Sequence, residues 1–206
     1  AAWIDRPATP GWEVVDRPGA GQVQLRFSAP WAGPGDPLFP ALEIANTAFG
    51  GYSSARLPTG LRERRRFTYS ARSVIEPVDG ERSVLVVSFD VRKEAADLAI
   101  EEFHRIVDGV TRTPFDAGEF DSAKQYTAGR WAAGLGGQEE LATALSQRLA
   151  LGLPPESIFD HGAKLSAVRH AEVLDASRRY LATGAFTGVA VGDAAYIARV
   201  PQLISA

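Results

Sequence analysis

Five arginines fall between positions 56 and 66: Arg56, Arg62, Arg64, Arg65 and Arg66. Glu63 is the one acid among them, and the run closes on Phe67-Thr68-Tyr69. A guanidinium is a planar fork of N–H donors that matches a carboxylate or backbone carbonyls. A tyrosine hydroxyl can donate to an oxyanion as it develops. Arg62 and Tyr69 stand seven residues apart, two turns of a helix if one ran through both, which would aim both side chains one way. Such a pair could hold a peptide and stabilise its tetrahedral intermediate, but could not activate water unaided. Gly50-Gly51 precedes the cluster, and a Gly-Gly turn lets backbone approach a partner closely. Three readings compete: a solvated helix face, a polyanion-binding patch, and a site that grips a substrate.

Other chemistries find less support. His104, His161 and His170 form no His-Glu-x-x-His or His-x-x-Glu-His motif. Glu101-x-x-His104 matches only one helix of a di-iron site, which needs a second copy and further carboxylates. There is no Gly-x-Ser-x-Gly elbow, and Ser53 and Ser54 read as helix caps. Gly134-Leu135-Gly136-Gly137 lacks the Lys-Ser/Thr of a phosphate loop and follows no strand. With no cysteine there is no disulfide, thiolate metal site or thiol catalysis. A net charge of -3 over 206 residues argues against a dedicated nucleic-acid binder. No apolar run is long enough to span a membrane. A soluble protein of the cytoplasm or periplasm is expected, with the choice left open. The sequence holds no methionine, even at position 1, so the chain reads as part of a longer or trimmed polypeptide.

The elements that must position these residues follow from periodicity and punctuation. Residues 1–10 read as an extended lead-in. Alternating residues predict strands at 12–16 and 22–28. The Pro/Gly-rich stretch 29–37 reads as a loop, with Asp36 capping a helix that starts at Pro37 and ends at Gly50-Gly51. A second helix is predicted over 57–65. Strands follow at 67–75 and 82–90 around the turn at 77–80. Amphipathic helices are predicted at 92–110, 116–133, 138–151, 155–165 and 169–181. A last strand covers 186–191, with a short helix after it. Strands then helices then a returning strand indicate an α+β fold: one domain over 1–206, with a mixed or antiparallel sheet backed by helices.

Gly50-Gly51, Ser54, Arg56-Leu57, Leu61-Arg62-Glu63 and Tyr69-Ser70 together resemble the signature of the non-metal half of the M16 (pitrilysin/insulinase) metallopeptidases, especially the bacterial processing-peptidase-like branch. Residues 14–27 resemble the opening of that family's second domain and residues 180–193 its closing strand. The resemblance spans residues 12–193. It implies a LuxS/MPP-like α/β roll, found in pairs that enclose a chamber. It also implies that Zn²⁺ sits on the partner half, either a domain of the same chain or a separate subunit in a heterodimer, with no metal bound here. Carried over by position, Arg62 and Tyr69 contact a peptide substrate and support its tetrahedral intermediate, and Gly50, Gly51, Arg56 and Arg66 line the substrate path. The chain would be inactive without its partner. The family often has glycine where Arg66 stands, and its glycine-rich loop is here only Gly50-Gly51. A non-catalytic assembly or peptide-binding subunit is the alternative the family also allows.

Overall fold

The computed structural model describes residues 11–197. The expected lead-in at 1–10 lies outside them. Five strands form one sheet: β1 (Trp12–Asp16), β2 (Gln22–Ala32), β3 (Ala71–Pro77), β4 (Arg82–Arg92) and β5 (Thr187–Gly192), in the order β1-β5-β2-β4-β3. β1 runs parallel to β5 and every other pairing is antiparallel, so the sheet is mixed. Val23, Leu25, Phe27, Ala29 and Trp31 of β2, with Leu85, Val87, Phe89 and Val91 of β4, point into the core. Their neighbours in sequence face outward, the period-two pattern of a sheet covered on one side.

The helices supply the cover: α1 (Phe39–Asn46), α2 (Arg56–Pro58), α3 (Ala96–Arg112), α4 (Ala117–Ala133), α5 (Gln138–Ala150), α6 (Ser157–Ala167) and α7 (His170–Tyr180). α3 turns Ala96, Ala99, Ile100, Phe103, Ile106, Val107 and Val110 inward at helical spacing. Phe103 stacks on Phe27 with ring centroids 4.0 Å apart and meets Phe186 edge-on at 5.4 Å. One hydrophobic cluster links strands and helices from Val23 to Ile197. The α+β architecture inferred from element order is the one found.

Local departures have physical causes. β2 runs on through Pro30, Trp31 and Ala32, where a loop is predicted. β5 pairs with β2 only as far as Ser28, so beyond it one side of β2 has no strand partner among the described residues. A proline is tolerated where a strand has a free side, and burial of Ala29 and Trp31 holds the extension down. The first helix begins at Phe39, with Asp36 Oδ1 accepting from the Leu38 N–H at 2.7 Å. β3 begins at Ala71 and not at position 67. Of the closing helix, a single 3₁₀ turn over Ala194–Tyr196 is described. No helix of the described residues is long and apolar enough to cross a membrane.

Candidate functional site

The arginine-rich stretch is built on two π-helical turns, wider than α-helix and common at functional sites. α1 passes into the first at Thr47–Gly51, and α2 into the second at Thr59–Arg64. Fully buried Leu57 and Leu61 anchor the second turn. Gly60 lets it lie against α3, since a Cβ there would sit 2.5 Å from Ile106 Cδ1. Gly50 has the same role on the other side, where a Cβ would fall 2.6 Å from Ser73 Oγ and 3.0 Å from Leu57 Cδ2. Ser73 in turn donates to Asn46 Oδ1 at 2.6 Å, which ties the first π turn to β3.

The helix stops at Arg64, so helical spacing is not what relates Arg62 to Tyr69. Arg65 N–H and Phe67 N–H bond back to the Gly60 and Leu61 carbonyls. Between them Arg66 takes φ 57, the left-handed region where glycine is at home. The chain reverses there. Thr68 Oγ1 then accepts from Ser70 N–H at 3.2 Å and donates to Ser70 O at 3.0 Å, holding a bend ahead of β3. Tyr69 projects from that bend at 98% exposure. Its hydroxyl makes no hydrogen bond among the described residues. Arg62 is partly exposed, with Nη2 donating to Ser53 O at 3.3 Å and to Glu63 Oε1 at 3.0 Å. Arg64 and Arg66 are exposed.

Arg56 is engaged inside the fold, and Arg65, though exposed, is tied to a buried carboxylate. All five N–H groups of Arg56 have acceptors: Nε and Nη2 reach Glu119 at 2.7 and 2.6 Å, and the carbonyls of Gly109, Thr113 and Pro114 take the rest. Its guanidinium also lies 4.5 Å from the Phe115 ring centroid. Glu119 serves twice, because it closes a capping box with Asp116 at the start of α4. Arg56 thus stitches α2 to the α3–α4 corner. Arg65 reaches Glu102 Oε2 at 3.2 Å, and Arg105 grips the same carboxylate with Nε at 2.9 Å and with Nη2. Glu102 is only 4% exposed. The Arg105 hydrogen bonds, followed by the charges of Arg105 and Arg65, outweigh desolvation and hold its carboxyl below the usual glutamate range. Glu102 stands 37 residues from Arg65 and Glu119 63 residues from Arg56, so the sequence does not announce either of these long-range pairs.

A cleft of about 560 Å³ runs beside edge strand β3, between the first π turn and α4, and Gly51 opens onto it. A second cavity of about 320 Å³ adjoins it where α1, α4, α5 and α6 meet. Glu43, Ile75, Arg130 and Trp131 line both. Among the described residues no three of His, Asp or Glu come together as a metal ion would require. The side chains present do not fit zinc.

A family model described as the peptidase M16 inactive domain matches residues 5–127, more than half of the chain. No curated protein sequence matches it. Among solved structures, the fold is shared with a peptidase M16 inactive domain from Pseudomonas fluorescens, at TM-score 0.81 and 20% identity over 92% of this chain. It is shared too with the inactive peptidase domain of a candidate zinc protease from Bordetella parapertussis, at TM-score 0.73, 18% identity and 84% coverage. The periplasmic protease PqqL from Escherichia coli aligns at TM-score 0.72 and 16% identity over 91% of this chain. The chain spans 46% of the Pseudomonas chain and 21% of PqqL, but 94% of the Bordetella domain.

Proposed function

This chain belongs to the M16 peptidase family, as its inactive domain, and from that premise we propose that it is the substrate-facing half of a two-part zinc endopeptidase acting on peptides or leader segments. The observation that carries the reading is the contrast within one arginine-rich stretch. Arg56 is taken up by Glu119 and three carbonyls and Arg65 is tied to buried Glu102, whereas Tyr69 stands free in solvent and Arg62 is held only by its neighbour Glu63, itself 52% exposed, and the Ser53 carbonyl. A large aromatic side chain at 98% exposure contributes little to its own fold, yet it is carried on a bend pinned by Thr68 and by the packed π turn.

In this reading Arg62 binds a main-chain carbonyl or carboxylate of the peptide through its forked donors. The Tyr69 hydroxyl donates to the carbonyl oxygen that gains charge as the scissile carbon becomes tetrahedral. Activation of water falls outside this chain, since its described side chains form no ligand set. That task, and the metal, belong to the partner half, whether a domain of the same polypeptide or a second subunit. Arg66 rims the approach, and Gly51 opens on the cleft beside β3. Gly50 and Arg56 act by shaping the support. The water-facing fold suits the cytoplasm or the periplasm, the latter being the compartment named for the Escherichia coli relative.

The test is reconstitution with a zinc-bearing half and measurement of peptide cleavage. Removing one oxyanion donor costs about 10²-fold or more in kcat, so Tyr69→Phe should lower kcat by about that factor. Arg62→Gln should raise KM. Wild-type rates from Tyr69→Phe would overturn the catalytic assignment and leave a non-catalytic assembly or peptide-binding subunit.

A further inference from the structure

The 320 Å³ cavity has no part in the Arg62/Tyr69 site, and its lining is chemically specific. Phe39, Ile75, Leu135, Leu151 and Ile158 make apolar walls, and Trp131 forms one side. The indole is fixed by α6: a Cβ at Gly162 would fall 2.4 Å from its ring, so only a glycine leaves it room. Three cationic or potentially cationic side chains also face the cavity: Arg130, Arg148 and His161. Among the described residues Glu43 is the only acid in the lining; its Oε2 lies 2.7 Å from His161 Nε2 without making a hydrogen bond, and its charge also acts on Arg148.

That leaves two arginines without an ion pair among the described residues. Arg130 is exposed and lines both the cavity and the cleft along β3. Arg148 is partly buried, and its one hydrogen bond is a long 3.4 Å contact from Nη1 to Ser157 Oγ. Burial lowers its pKa against the opposing pull of Glu43, so its charge is held in a poorly solvated place. A partly buried guanidinium with most of its fork unused is a ready partner for a planar anion. Apolar walls around that fork call for an anion carried on an apolar body, since a bare inorganic ion would leave them unfilled.

We propose that this cavity binds the free C-terminal carboxylate of a peptide whose last side chain is apolar, with Arg148 and Arg130 on the carboxylate and Trp131 against the side chain. The preceding residues run into the adjoining 560 Å³ cleft beside β3, whose outer edge has no strand partner among the described residues. That the carboxylate is a peptide's rests on the peptidase reading above; the demand for an apolar carboxylate rests on the cavity alone. The pocket is a second contact on the substrate, away from the bond to be cut, and it selects peptides by their end.

The test titrates the 206-residue chain calorimetrically with a leucine-terminated hexapeptide, as free acid and as C-terminal amide. A charge-assisted fork should make the acid bind at least about tenfold tighter than the amide. Arg148→Gln should erase that preference without lowering Tm, because Arg148 holds no structural ion pair. Tyr69→Phe should leave the preference intact, which separates this proposal from the catalytic one. N-acetyl-leucine should compete, and inorganic phosphate should compete far more weakly. Equal binding of acid and amide, no binding of either, an unchanged preference in Arg148→Gln, or phosphate competing as well as N-acetyl-leucine would each overturn the proposal.

Discussion

Glu102→Gln isolates the buried carboxylate that holds the end of the arginine-rich turn onto α3. The native carboxylate accepts three N–H bonds, one from Arg65 and two from Arg105. Glutamine keeps the shape and one acceptor oxygen, but loses the charge and turns an NH₂ toward a guanidinium. Breaking a fully buried ion pair costs about 3–5 kcal/mol. Here the carboxylate is 4% exposed while the two arginine side chains are 54% and 58% exposed, so water readily takes back their charges. The cost is thereby discounted to about 1.5–3 kcal/mol. At about 2–4 °C per kcal/mol for a domain of this size, Tm should fall by roughly 3–12 °C at pH 7. The pH dependence has a definite sign. Glu102 titrates lower in the folded chain than in the unfolded one, so its stabilisation is fully present above the unfolded value, about 4.3. It disappears as pH falls through the lowered native value. The gap between wild type and Glu102→Gln should therefore be constant from pH 6 to 8 and close in stronger acid, as followed by circular dichroism melts. A gap below about 1 °C at pH 7, or one that persists undiminished in acid, would refute the reasoning.

Other substitutions probe the support of the same loop. Arg56→Ala takes five N–H bonds from Glu119 and three carbonyls, leaving Glu119 the Asp116 N–H and Gly109 the Thr113 N–H, and should cost about 1–3 kcal/mol in urea unfolding; Arg56→Lys, with a point charge in place of a fork, should recover only part of it. Arg66→Gly removes a side chain from left-handed backbone worth about 1–2 kcal/mol, against a glycine entropy cost of about 0.5–1 kcal/mol. It should leave Tm unchanged or raise it by up to about 6 °C, and a clear fall would refute the strain. Gly60→Ala should cost about 1–3 kcal/mol by overpacking. Pairing it with Ile106→Val, which removes the methyl 2.5 Å from the new Cβ, should return part of that loss in a double-mutant cycle.

The residues themselves explain how far the sequence could be read. Val23, Leu25 and Phe27 announce β2 by alternation, because that signal is local. The two π turns are invisible, since one extra residue per turn leaves no mark in a short apolar pattern. The change of direction at Arg66 is hidden for another reason: arginine is not a residue that marks left-handed backbone, and the reversal is imposed by the Gly60 and Leu61 carbonyls. Arg62 and Tyr69 are legible as residue types but not as an arrangement, because the helix that would have related them ends at Arg64. Glu102, Glu119 and the Trp131–Arg148 cavity depend on contacts made after the chain has folded. Charge clusters in sequence therefore overstate the site: of five arginines, the fold consumes Arg56 and ties Arg65 to Glu102.

The strand order has a consequence for how the chain comes to be folded at all. β5 is made last, yet it fills the slot between β1 and β2. Residues 33–186 must be synthesised in the meantime, which at about 5–20 residues per second means roughly 8–30 seconds on the ribosome. Through that interval the facing edges of β1 and β2 have unpaired main-chain groups, the template that favours wrong partners. Sheet closure is a late, long-range event, so folding should be slow. A nascent chain halted before Thr187 would be a natural client for chaperones, and its time of greatest hazard is set by how late this interior strand is encoded.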